Sequence, residues 1–283
     1  MDGRLIIVTF RERSGGHFRI FFLFSLLFSF FPCAAGAYVM PAEQIAGLMA
    51  PNFFKCQTMV IDQSVHIIKS GTISHEQEVT DLFEEKIVLK TPDLYHVELT
   101  SRQLGNISRD IPGLADLRDV IFRKLFILRN GNSIMDFLAG IGVNVESVAF
   151  TRFNGIIAYR IGDNDPYSPS LLVEKENFLP LFLSYCISED GKDVMVKVTF
   201  DDYRKTRTGW YPFEITYSKG DDIIEKYFVL ELKINIHVQT PLLKNIPSTT
   251  VCNNLSKKIV KDQPDQEEIH LREVFKTLER KYR

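Results

Sequence analysis

Between Val145 and Val238 apolar and polar residues alternate with a period of two, and three glycine-containing dipeptides interrupt the alternation at hairpin spacing. Asn154-Gly155 is a two-residue turn signal, because both residue types tolerate the left-handed backbone that closes a tight hairpin. Pairing outward from it sets Phe150 opposite Tyr159 and Val148 opposite Ile161, with Ile157 on the same face. Asp190-Gly191 likewise matches Ile187 with Val194, Tyr185 with Val196, Leu183 with Val198 and Leu181 with Phe200. Lys219-Gly220 places Tyr217, Ile215, Phe213 and Tyr211 on the face that carries Ile224, Phe228 and Leu230. A slip of one residue would turn each set to solvent, so the pattern specifies the register. The predicted strands are 146–153, 156–161, 171–174, 179–188, 193–200, 211–217 and 223–238. In the last, Leu230, Leu232, Ile234, Ile236 and Val238 share a face, and a strand of that length must coil or break at a bulge.

Upstream, Gln57 to Ile68 alternates weakly. Val79 to Lys90 alternates clearly, with Phe83, Ile87 and Leu89 on one face and Glu84, Lys86 and Lys90 on the other. After the turn at Thr91-Pro92-Asp93, Tyr95, Val97 and Leu99 alternate with His96 and Glu98, which predicts a second hairpin. The period changes in three places. Ile45, Leu48 and Met49 predict a short helix over 41–49 with Pro41 near its start; Leu117, Ile121, Leu125 and Leu128 predict one over 115–129. Ile134, Phe137, Leu138 and Ile141 predict a third over 132–141, with Gly131 separating the last two and Gly142 ending the third. Strands that do not alternate with helices predict a mainly β (α+β) fold: a wide antiparallel sheet curled into an incomplete barrel with a helical lid. One face of that sheet is apolar, with Arg152 and Lys226 as exceptions, and must be covered by something.

Composition narrows the classes. The 283 residues are 45% hydrophobic and 25% charged, with a formal charge of −2, which is globular and gives no footprint for nucleic acid. Arg11, Arg13 and Arg19 precede the apolar run from Ile20 to Phe31, and Ala35-Gly36-Ala37 follows. This predicts a secretory signal peptide over 1–37, cleaved near Ala37, since the run is too short to span a bilayer. Residues 38–243 then form the sheet domain with a helical insert at 114–141. Residues 244–264, polar and carrying Pro247 and Pro264, read as a linker. In 265–283, Asp265 and Glu268 resemble a capping box before an amphipathic face of Leu271, Val274, Phe275, Leu278 and Tyr282. The mature chain keeps Cys56, Cys186 and Cys252, an odd number without metal-ligand spacing, which read as free thiols.

Candidate chemistry is sparse. No nucleophile elbow, zincin motif, phosphate loop or Cys-x-x-Cys pair occurs, and Gly140-x-Gly142 follows a helix rather than a strand. His96 and Glu98 share a solvated face; the doublets Asp201-Asp202 and Asp221-Asp222 read as turns, and so does Asp163-Asn164-Asp165. Asn106-Ile107-Ser108 matches a glycosylation sequon. The expectation is a protein that is not an enzyme and uses no metal and no cofactor.

Several segments carry a resemblance. They are the run from Phe153 to Gly162, the run from Leu171 to Leu181, Gly209-Trp210-Tyr211-Pro212, and the stretch from Phe83 to Tyr95. Together they resemble the LolA-type (LolA/LolB-like) outer-membrane lipoprotein-sorting family over roughly residues 41–243. The likeness implies a periplasmic half-barrel whose interior shelters the acyl chains of a lipoprotein or another lipid. It further implies an inner-membrane ABC transporter as donor and an outer-membrane acceptor. The chain departs from the family at the helical insert, in the tail beyond 243, and in offering no alignable lid arginine. On this reading the cavity is lined by Phe83, Ile87, Leu89, Tyr95, Val97, Leu99, Phe150, Tyr159, Leu183, Tyr185, Val196 and Val198. A periplasmic sensor or scaffold that binds lipid or lipoprotein with the same fold is the alternative.

Overall fold

The computed structural model describes residues 39–53, 56–70, 77–103, 120–189, 192–207, 209–238 and 243–246. The expected signal peptide, the sequon, the first part of the 115–129 helix, the Asp190-Gly191 turn, most of the linker and the C-terminal helix lie outside them. Eleven strands form one antiparallel sheet: β1 (Thr58–Ser70), β2 (Gln77–Lys90), β3 (Leu94–Gln103), β4 (Val148–Phe153), β5 (Ile156–Gly162) and β6 (Ser170–Glu174), then β7 (Pro180–Glu189), β8 (Lys192–Lys205), β9 (Trp210–Lys219), β10 (Asp222–Ile234) and β11 (Lys244–Asn245). Their spatial order is β11-β3-β2-β1-β10-β9-β8-β7-β6-β5-β4. Each strand from β4 to β10 lies beside its sequence neighbour, β10 returns to pair with β1, and the sheet stays open between β11 and β4. The incomplete barrel expected from the alternation is what forms.

Two predicted hairpins pair in the predicted register. Asn154 (φ 48) and Gly155 (φ 83) make the tight turn, and Phe150 faces Tyr159 as Val148 faces Ile161. Leu183 faces Val198, Tyr185 faces Val196 and Ile187 faces Val194. Leu181 departs. A register shift between β6 and β7 at Leu172/Val173 leaves it in a second cluster with Ala158 and Leu172, outside the main core.

The third hairpin corrects the prediction. Lys219 pairs with Asp222, so the turn sits on Gly220 (φ 61) and Asp221, one residue later than expected. A further shift between Ile223 and Glu225 then pairs Tyr227 with Ile215, so Tyr227 rather than Phe228 shares the inner face with Tyr217 and Ile215. A second shift opposite Asp62/Gln63 restores phase, so Leu232 and Ile234 point inward with Ile61 and Met59 while Leu230 is 57% exposed. β10 ends at Ile234, and Asn235 (φ 59) turns the chain away, leaving Ile236 and Val238 outside the strand. Each bulge inserts an unpaired residue that reverses the side-chain phase, which a fixed period of two cannot register. Lys226, taken as an inner-face exception, pairs with His66 and Thr216 and lies in the opposite phase from buried Tyr227.

Helices cover the inner face. α1 (Ala42–Met49) starts at Pro41 and buries Ile45 and Met49, whereas Leu48 is exposed. α2 (Gly131–Gly140) is capped by Asn130, whose side chain accepts a hydrogen bond from the Ser133 N–H at 2.8 Å. Gly131 is the first residue of α2 rather than a separator. A Cβ there would stand 3.0 Å from the Gly47 nitrogen, so the glycine lets α1 and α2 approach at backbone contact. Of the expected 115–129 helix, the described part is a single 3-10 turn, Ile121–Phe126. Cys56 is a free, buried thiol, but Cys186 is disulfide-bonded, which overturns the free-thiol reading for that residue.

Candidate functional site

The sheet's inner face is a trough, and the segment Val120–Leu128 lies in it as a plug. Of these nine residues only Lys124 is not buried. The Phe122 ring centroid is 6.3 Å from Phe200, 6.2 Å from Tyr217 and 6.1 Å from Tyr227. Phe126 meets Tyr211 at 5.1 Å, Phe200 at 5.2 Å and Phe53 at 5.4 Å. A short 3-10 helix buried at every position but Lys124 has almost no solvent face, which explains why a one-sided helical period misdescribes it.

Ten of the twelve expected lining residues belong to the same core cluster as the plug: Phe83, Ile87 and Leu89 on β2, Tyr95 and Val97 on β3, Tyr159 on β5, Leu183 and Tyr185 on β7, Val196 and Val198 on β8. Phe150 faces inward with Tyr159, their centroids 4.9 Å apart, but β4 is the sheet's free edge and the ring is 40% exposed. Leu99 is 46% exposed, beside the Glu84/Glu85 register shift and past the two residues of β11 that cover β3. The aromatic residues of the sheet that touch the plug, Phe200, Tyr211, Tyr217 and Tyr227, are absent from the expected set. Phe200, Tyr211 and Tyr217 stand on the face that the alternation predicts as apolar, and only Tyr227, beyond the Ile223/Glu225 shift, changes phase.

The interior also holds polar groups that the sequence reading missed. Arg123, 1% exposed, donates from Nη1 to the Tyr211 hydroxyl at 3.0 Å and from Nη2 to Gln63 Oε1 at 3.1 Å. Gln63 Nε2 in turn donates to Glu85 Oε1 at 2.7 Å, and both residues are buried. The guanidinium lies over the rings of Phe122 and Tyr227, 4.8 and 5.0 Å from their centroids. Burial pushes the Tyr211 phenol above its ordinary pKa, against the opposing pull of the Arg123 charge and hydrogen bond. Tyr211 therefore stays a neutral acceptor. A signal for two of these groups was present: Gln63 is in step with Ile61 and Val65, and Glu85 with Phe83 and Ile87. Arg123 gave none, since helical spacing from Ile121 and Leu125 turns it outward.

At one end the plug and α1 are fastened to strand connections. Asn52 Nδ2 donates to the carbonyls of Asn177 (2.9 Å) and Phe178 (3.3 Å), and Arg129 Nη2 donates to Thr91 Oγ1 at 2.7 Å. A Cβ on Gly209 would lie 1.8 Å from the Asn52 carbonyl oxygen, so the β8–β9 turn grips the chain after α1 through a residue without a side chain. Below them, Cys56 has its thiol pKa pushed up to about 12 by burial, partly opposed by Arg129. It is inert at neutral pH.

An amide, a carboxyl, a guanidinium and a phenol fix and orient; none is a poised nucleophile. Among the described residues no group of three or more His, Cys, Asp or Glu is arranged to hold a metal ion. The Asp163-Asn164-Asp165 side chains are used by their own loop: Asp163 accepts from Asn144, Asn164 from Arg160, and Asp165 from Tyr167 and Ser168. No described helix is long and apolar enough to cross a membrane.

No protein-family model matches the chain, and no curated protein matches it. Among solved structures, the fold is similar to a LolA superfamily protein from Nitrosomonas europaea, with a TM-score of 0.41 and 10% identity over 70% of this chain and 96% of that one. It is similar to a putative outer membrane lipoprotein-sorting protein domain from Vibrio parahaemolyticus, with a TM-score of 0.37 and 13% identity over 70% and 93%. It is also similar to a DUF1329 family protein from Desulfovibrio piger, with a TM-score of 0.38 and 12% identity over 70% and 93%. At these scores the likeness is one of outline.

Proposed function

We propose that this protein is an exported, periplasmic carrier that shelters the acyl chains of a lipoprotein, or of another lipid, in the trough, and that Val120–Leu128 holds the place of those chains when the carrier is empty. One observation carries the reading. Apart from Gln63 and Glu85 the inner face is apolar, and the middle of the space against it is occupied by a short separate segment packed on the sheet's aromatic side chains.

The energetics suit an exchange. Burying Phe122, Leu125 and Phe126 stabilises the closed form by about 5–9 kcal/mol, at 1.5–3 kcal/mol per side chain. A lipid chain recovers about 0.8 kcal/mol per methylene, so roughly 6–11 methylenes balance the three side chains. Arg123 returns to water as the plug leaves, while Gln63 and Glu85 stay behind without the cation, a cost of about 3–5 kcal/mol that a further ~4–6 methylenes offset. A near-balanced swap allows loading and release with a small net change in free energy. Delivery to the outer membrane, with an inner-membrane ABC transporter as donor and an outer-membrane acceptor, is the route this reading proposes.

The Arg123 network favours a second reading. A plug tied by a buried guanidinium to three strands suits a lipid- or lipoprotein-sensing scaffold whose interior stays shut. Mass spectrometry of protein purified from its own compartment separates the two: co-purifying acylated peptide or lipid supports the carrier, and a stable protein partner without acyl cargo supports the scaffold. Val196→Glu or Leu183→Glu places a charge on the lining. A folded variant that still retains acyl chains would show that this face does not hold them.

A further inference from the structure

Because neighbouring strands run in opposite directions, the connections fall alternately at two rims of the sheet. One rim gathers β2–β3, β4–β5, β6–β7 and β8–β9 together with the chain leaving β10. The other gathers β1–β2, β5–β6, β7–β8 and β9–β10.

Charge is divided between these rims. At the first, Lys205 and Arg207 are exposed in the β8–β9 connection, with Arg204 held beside them by Asp202 at 2.6 Å. Arg152 flanks the β4–β5 tip and Lys175 lies in the β6–β7 turn, both exposed. The acids of this rim, Asp93, Glu174, Glu176 and Asp202, are spread among them. At the second rim acids outnumber bases: Asp163 and Asp165, Glu189 and Asp193, and Asp221 and Asp222 stand at three of the connections, with Lys192 beside them, Lys197 paired with Asp221 and Lys219 with Glu189.

The basic rim also exposes apolar side chains. Ile156 (41% exposed) and Ile157 (42%) stand at the β4–β5 tip, and Ile236 (39%) follows β10. Trp210 opens β9, part-buried against the core, with the Lys205 ammonium 5.8 Å from its ring centroid. Separate apolar and indole side chains among cations match a headgroup layer, which takes aromatic rings at its interface and basic residues by charge. They do not make the contiguous apolar core of a protein–protein contact. The acidic far rim orients the molecule in the same field. The plug's Arg129 end and the Asn52 anchor both sit at the basic rim.

We propose that the basic rim docks on an anionic lipid bilayer and sets the anchored end of the plug against the headgroups. The docking stands apart from the carrier reading, because a rim can meet a surface whatever occupies the trough.

Trp210 is the single tryptophan of the chain and lies on this rim, so the unmodified protein carries its own probe. Vesicles with about one-third phosphatidylglycerol, at low ionic strength, are expected to bind the protein in co-sedimentation and to shift Trp210 emission to the blue. Binding should weaken on raising the salt, and neutral phosphatidylcholine vesicles should bind far less. At about fivefold in partition for each basic residue near an anionic surface, the combined K175Q, K205Q and R207Q variant should bind roughly 100-fold less. Combined D193N and D222N, on the far rim, should bind unchanged. An unaltered melting curve excludes loss of fold as the cause. No binding to anionic vesicles at low salt, or equal binding by the triple variant, overturns the proposal. If anionic vesicles bind and the lining variants lose cargo independently, docking and carriage are two separate functions of one sheet.

Discussion

Replacing Arg123 with methionine keeps the length and apolar stem of the side chain and removes the guanidinium from the middle of the molecule. Two hydrogen bonds go with it, to Tyr211 at 3.0 Å and Gln63 at 3.1 Å, together with the stacking over Phe122 and Tyr227. Hydrogen bonds to charged groups contribute about 1.5–3 kcal/mol each. The buried Gln63 and Glu85 side chains also stay behind without the cation, and breaking a buried charged network from one side costs about 3–5 kcal/mol. The expected loss is therefore about 3–5 kcal/mol, measured as a lower urea midpoint with the slope unchanged. Tyr211→Phe removes one acceptor and should cost about 1–2 kcal/mol. The double variant should cost less than the sum, by a coupling of about 1–2 kcal/mol. If Arg123 is a tie on the plug, the single variant also takes up a fluorescent fatty acid faster than the parent. A coupling below about 0.5 kcal/mol would refute the buried Arg123–Tyr211 bond, and an unchanged uptake rate would refute its role as a tie.

Other outcomes follow from the same structure. Gly131→Ala pushes a methyl group against the Gly47 backbone, 3.0 Å away, and should cost about 1–3 kcal/mol in thermal unfolding by forcing α1 and α2 apart. Phe126→Ala leaves a hole in the plug and should cost about 3–5 kcal/mol; a long-chain fatty acid should then raise its melting temperature more than that of the parent. His66 has a pKa held below 6.5, first by burial and then by the Lys226 charge. The unfolded chain then binds the proton more readily, so stability should fall as the pH drops below 6.5 towards the folded value, and His66→Asn should flatten that slope in urea titrations. Cys56, with its pKa raised to about 12, should resist alkylation at pH 8 in the folded protein and react on unfolding, as read by peptide mass.

The sequence carried the fold well wherever turn chemistry and alternation agreed. Asn154-Gly155 demanded positive φ at two positions, and the pairs that follow from it are the pairs that form. It failed where the backbone inserts a residue. Nothing in Asp221-Asp222-Ile223-Ile224 distinguishes the register that forms from one shifted by a residue, and the resulting change of phase moved Tyr227 inward and Phe228 outward. The site was half legible for a related reason. The expected lining residues on β2, β5, β7 and β8 obey a period of two, whereas the plug obeys none, because a segment buried at every position but Lys124 has almost no solvent face to set a period. Glu85 and Gln63 were in phase with their apolar neighbours, but a buried carboxyl and amide make sense only beside Arg123, which lies 38 and 60 positions further along the chain.

The exchange of plug for acyl chain is tested most directly by hydrogen–deuterium exchange at residues 120–128 while a diacylated lipopeptide is added. The account predicts slow exchange in the unloaded protein, as expected of a buried segment, and faster exchange on loading in proportion to the lipopeptide bound. A lipopeptide that binds while these amides keep their protection would contradict it.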